Sequence, residues 1–168
     1  MTAVHRNLKG MVLAVLFASS VSCGGTASIT SNFMSVEGSL KRIQSGSDVP
    51  SDLTITYDDM HGLWGGTTIV ITGKGSGERL ERDKGSAKPE IFNKSISREQ
   101  ILELVKLLIE HEAWAQRTPS RDPRPDESQA SLKIEVNGQS SNIWEWFNDM
   151  DKNKRLSIIK AKMKQLTS

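Results

Sequence analysis

The densest grouping of chemically capable side chains is Asp58-Asp59-Met60-His61, which follows an alternating apolar stretch. Two carboxylates and an imidazole can ligate a divalent cation or pass a proton, the chemistry of a metal-assisted hydrolase built on Asp58, Asp59 and His61. Backbone geometry narrows that reading. Adjacent residues at a strand end point to opposite faces, so at most Asp59 and His61 converge. A solvated turn is the plainer account, and the hydrolase stands as the runner-up. His111-Glu112 opens like a helical zinc motif, but residue 115 is Ala where the second His is needed.

A calcium loop is suggested by "DMDKNKRLS", with Asp149, Asp151 and Asn153 at its first, third and fifth positions. Lys154 stands where the turn glycine belongs and Lys160 where the bidentate Glu belongs, so the segment cannot hold the ion. Helix capping by Asn148, Asp149 or Asp151 is expected instead. The chain shows no Ser-His-Asp or Cys-His arrangement, P-loop or dinucleotide fingerprint. No catalytic residue and no cofactor is predicted. Trp64, in the Gly-rich "HGLWGG", and Trp144 and Trp146 remain as a candidate binding surface, since Trp is enriched at such surfaces. Their alternative role is to cover the sheet.

Charge excludes one class of partner. The 22 Lys and Arg residues include Arg6 and Lys9, and the other 20 balance the 20 acids. Nucleic-acid binding needs a basic surplus or a concentrated basic face, so no nucleic-acid partner is expected. The last helix carries Lys152, Lys154, Arg155, Lys160, Lys162 and Lys164. Contact with anionic headgroups is one reading, and a solvated outer face is the plainer one.

Residues 1–22 have the form of a secretory signal peptide: Arg6 and Lys9, then the apolar run Met11–Ala18, then small residues. Eight apolar residues are too few to span a bilayer. The lone cysteine, Cys23, follows directly in "SSVSCGG". This stretch resembles the lipobox of bacterial lipoproteins, with Ser22 at −1 and Val21 at −2, and departs from it at −3, where Ser20 replaces the usual Leu. The resemblance implies cleavage before Cys23, lipid on its sulfur, and a membrane as partner through that lipid. Gly24 in place of an aspartate favours the outer membrane of an envelope that has one. Residues 23–50, rich in Gly and Ser, read as a lipid-anchored flexible linker, with a short helix around 34–43 as the only structured option.

The positioning elements lie in 51–168, which is long enough for a single globular α+β domain. Leu53, Ile55 and Tyr57 alternate as a strand, and Thr67–Thr72 is a β-branched run. "ERLERDK" at 78–84 reads as a polar edge strand beyond the turn "GKGSG". Ser97 and Gln100 form a capping box before a helix carrying Ile101, Leu104, Val105 and Leu108. Prolines 119, 123 and 125 make 117–130 a loop. Leu132, Ile134 and Val136 lead to Asn137-Gly138, a hairpin turn that sets Leu132 opposite Ile143. Leu156, Ile159, Met163 and Leu166 mark a final helix. The order β-β-β-α-β-β-α predicts an antiparallel sheet of four to five strands with two helices on one face.

This arrangement over residues 51–166, with the strand leading into "GLWGG", the Ser97 cap, Asp126 before a strand and the closing hairpin and helix, resembles small bacterial protease-inhibitor domains of the emfourin group. The resemblance implies the fold, and docking on a protease by exposed loops. Together these features lead to the expectation of a non-enzymatic, exported lipoprotein whose domain binds another protein.

Overall fold

The structure, a computed structural model, describes residues 35–118 and 121–168. It is an α+β fold: α1 (Val36–Gln44), β1 (Thr54–Asp58), β2 (Gly66–Thr72), β3 (Ser76–Arg82), β4 (Glu90–Ser95), α2 (Arg98–Glu110), β5 (Gln129–Val136), β6 (Gln139–Trp146), a 3-10 helix (Phe147–Lys152) and α3 (Lys154–Leu166). The six strands form one antiparallel sheet in the order β4-β3-β2-β1-β5-β6. That is one strand and one helix more than the alternation pattern predicts.

β1 lies at the centre, and its register explains the core. Ile55 pairs with Ile71 on one side and Ile134 on the other, and Tyr57 pairs with Ile69 and Leu132. All six side chains are buried, because a period of two places each strand's apolar set on the same face. Buried residues of α1, α2 and α3 complete the same cluster, with α2 touching both other helices. The three helices therefore share one sheet face.

Local signals act as read in several places. Ser97 Oγ accepts from the Gln100 backbone N–H and the Gln100 side chain accepts from the Ser97 N–H, closing the capping box. Asn137 and Gly138 both have positive φ (51° and 71°), the type I′ geometry that matches strand twist, and Leu132 does face Ile143.

Three expectations are corrected. Part of the segment read as linker is folded: Ser35 caps α1, whose Val36, Leu40 and Ile43 enter the core. Gly and Ser in the helix hid an apolar stripe of spacing 4 and 3, and burial against α2 outweighs their low propensity. β3 is not an edge strand, since β4 pairs outside it. β4 has no buried residue, so it leaves no alternation to read. Arg79, on the supposed polar strand, is buried instead: it donates to Ser168 Oγ at 2.8 Å and to the Lys164 carbonyl at 3.3 Å, with its guanidinium 4.3 Å from the centre of the Phe92 ring.

If α1 is a core element, Leu40→Ala should lower unfolding free energy by about 2–5 kcal/mol. Urea denaturation measures this. A midpoint unchanged from wild type would return residues 36–44 to the tether.

Candidate functional site

Asp58, Asp59 and His61 do not converge. Asp59, 4 % exposed, turns into the core side, where Oδ2 accepts from Tyr57 Oη at 2.8 Å and from Lys160 Nζ, and Oδ1 accepts from the Thr67 N–H at 2.6 Å. Asp58 Oδ1 accepts from the Met60 N–H at 3.2 Å and Thr68 Oγ1 at 2.8 Å. His61 faces a third way, towards residue 126. Among the described residues no group of three or more His, Cys, Asp and Glu side chains is placed to hold a metal ion. The lone pairs a metal would need on Asp59 are already taken by donors.

The loop after β1 nevertheless holds the most unusual surface feature. His61 and Gly65 form an isolated bridge, with His61 N–H donating at 2.7 Å and Gly65 N–H at 3.2 Å. Inside this bridge His61 Nδ1 accepts from the N–H groups of Leu63 (3.1 Å) and Trp64 (3.3 Å). Because Nδ1 accepts, the ring proton is on Nε2, which donates to the Asp126 carbonyl at 3.1 Å. Arg82 reaches back from β3 to donate to the His61 and Gly62 carbonyls. Gly65 has φ +78° and lies against β3 so closely that a Cβ would overlap the Arg82 carbonyl oxygen.

This scaffold holds Leu63 and Trp64 outward, 69 % and 51 % exposed. Lys84 Nζ lies 3.7 Å from the centre of the Trp64 ring, over its face. Beside them is a groove of about 330 Å³ whose far wall includes Pro125, Asp126 and Phe147. Two exposed large apolar side chains on a hydrogen-bonded loop are the kind of anchor that protein interfaces use. Trp64 was legible as a candidate because of its type. Leu63 and the organising role of His61 were not, since both depend on where the loop turns.

Trp144 and Trp146 are placed differently. Their rings meet edge to face at 5.1 Å, both half-buried on the sheet face opposite the helices. Gln116 clamps the Trp144 backbone, donating to its carbonyl at 3.0 Å and accepting from its N–H at 2.8 Å. Arg121 lies over Trp146 at 5.1 Å. The pair therefore packs against Gln116 and Arg121 and is less exposed than Trp64.

Arg121 is the hub of that segment. It forks onto Glu127 (2.8 and 2.9 Å) and reaches Asp149, which also takes Lys152 at 2.7 Å. These bonds hold the Glu127 carboxyl down at about 2, chiefly through Arg121, with the Arg124 N–H and Asn148 adding to it. Asp149 is lowered too, first by Lys152 and then by Arg121, and Arg121 itself is raised by Glu127. The cleft of about 530 Å³ below is lined by Arg117, Arg121, Lys152, Lys154 and Arg155. Four of these cations already have partners: Arg117 pairs with Glu112, and Arg155 donates to the carbonyls of Glu112 and Ala115 at the end of α2. The cleft is internally compensated.

The last helix is also less solvated than expected. Lys160 pairs with Asp59, Lys162 with Glu103 and Lys164 with Glu81. The helix is capped by Asn153, whose Oδ1 accepts from the Leu156 N–H at 3.1 Å, rather than by Asn148 or Asp149; the Asp151 side chain lies outside the described residues. Asn148 instead donates to Glu127 at 3.0 Å.

Glu127 has a depressed carboxyl in the folded state, so its contribution is complete above its ordinary value of 4.5 and is lost as pH falls towards about 2. Denaturant midpoints measured across that window should fall in the wild type and fall less in Glu127→Gln. Parallel curves for the two proteins would show that the Arg121 hub adds nothing. A scan against protein-family models and a search of curated protein sequences find no match to this chain.

Proposed function

We propose that this chain is a non-enzymatic lipoprotein of the cell envelope, anchored through lipid on Cys23, whose domain docks another protein through the 61–65 loop. The observation that carries the docking part is the outward pair Leu63 and Trp64 on a loop whose backbone is already hydrogen-bonded. A loop ordered before binding avoids much of the entropy cost of ordering it at the interface. The complementary surface is an apolar one, with room for a side chain in the groove beside Phe147. The resemblance to emfourin-type inhibitors, which dock by exposed loops, supports the same mode and makes a protease one candidate partner. Among the described residues no helix is long and apolar enough to cross a membrane; the anchoring part of the reading is carried by the lipobox-like stretch at Cys23.

Both parts can be tested on the full-length chain exported by its host. A photo-crosslinking residue at position 63 should capture a defined protein adduct that the same residue at position 158, exposed on α3, does not. Trp64→Ala should weaken the interaction about thirtyfold, the equivalent of about 2 kcal/mol for an interface anchor. Equal adducts at both positions, or none, would sink the docking reading. Titration against thermolysin-like proteases decides the inhibitor version, which ends if activity is unaffected. Mass spectrometry of the mature N-terminus should find lipidated Cys23 as its first residue, and an unmodified Cys23 would refute the anchor.

A further inference from the structure

His61 uses both ring nitrogens, and only the neutral ring can do so. Nδ1 accepts from two backbone N–H groups while Nε2–H donates to the Asp126 carbonyl. An imidazolium has two donors and no acceptor. Protonation at Nδ1 would set one N–H against two others and remove the contacts that fold Leu63 and Trp64 into place. We propose that His61 is a proton-operated latch: neutral, it holds the loop in its docking shape, and protonated, it releases it.

The charges around the ring favour this direction on one side and are committed on the other. Arg82 from β3 bonds to the His61 and Gly62 carbonyls, and Lys84 lies over Trp64, so two cations flank the loop. On β1, Asp58 accepts from Met60 and Thr68, and Asp59 is held by Tyr57, Thr67 and Lys160. From the 125–128 segment, Asp126 presents its carbonyl to Nε2 and also lines the groove, while Glu127 is bound by Arg121. From the 3-10 helix, the Phe147 ring lies 6.2 Å from His61, Asn148 is uncharged, and Asp149 is taken by Arg121 and Lys152. Among the described residues no carboxylate oxygen bonds to the ring, so no anion compensates the lost acceptor when it is protonated.

The consequence for binding rests on the docking reading, but the latch is a property of the loop alone and can be measured without a partner. Amide exchange of the full-length chain, corrected for the intrinsic pH dependence of exchange, is followed by NMR from about pH 8 to about pH 5, across the ordinary imidazole range. Protection of the Leu63 and Trp64 amides should fall at least about tenfold between these two pH values, because a protonated Nδ1 cannot accept from them. Ile69 and Ile71 in β2 should stay protected. His61→Asn keeps a neutral acceptor that cannot titrate, so its loop should remain protected throughout, while His61→Ala should lose protection at every pH. Constant protection at Leu63 and Trp64 in the wild type, or an equal acid loss in His61→Asn, overturns the latch. If the latch holds and Trp64→Ala leaves partner capture intact, the docking reading fails alone.

Discussion

A carboxylate withdrawn from water must have its oxygens paired, and Asp59 places that constraint at the junction of three elements. It directly follows β1, receives the Thr67 N–H at the start of β2, and is met by Tyr57 from the core and by Lys160 from α3. Asp59 is the buried member of this pair, with Lys160 still partly in water, and removing the cation would leave the buried carboxylate short of a partner. The pair's effect is on arrangement. It sets where β1 stops pairing, and so where the 61–65 loop begins. It also ties the last helix to the centre of the sheet.

With that junction fixed, the loop has few choices. Gly65 and Gly66 adopt positive φ with no room for side chains, and the His61–Gly65 bridge closes around only three residues. Polar atoms of the loop are satisfied internally by the imidazole and by Arg82, which leaves the apolar side chains of Leu63 and Trp64 to face water. This inverts the usual arrangement, in which a surface loop shows polar atoms to solvent and packs its apolar ones. The same one-sided logic holds for the whole sheet. Three helices cover one face, and on the opposite face Gln116 and Arg121 lie against Trp144 and Trp146.

Legibility followed the kind of interaction concerned. The capping box at Ser97, the I′ turn at Asn137-Gly138 and the apolar stripe of α3 are local patterns within a few residues, and each forms as read. β4 was missed and α1 was read only as an option within a linker, for opposite reasons. β4 is an edge strand with nothing buried, so no periodicity marks it. α1 has the stripe, but its Gly and Ser content matches that of a linker, and only packing against α2 distinguishes the two.

The sequence alone determined the elements with strong periodicity, the balance of charge after residue 22, and the identity of Cys23 and Trp64 as residues of interest. Whether Asp58, Asp59 and His61 formed one site, how far each of Trp64, Trp144 and Trp146 is exposed, and that Asn153 capped α3 were decided by the tertiary structure. The reason is reach. Caps and turns close within about four residues, whereas Asp59 meets Lys160 across 101 positions and Arg121 meets Asp149 across 28. Such pairs exist only once the sheet register has placed their strands and helices side by side.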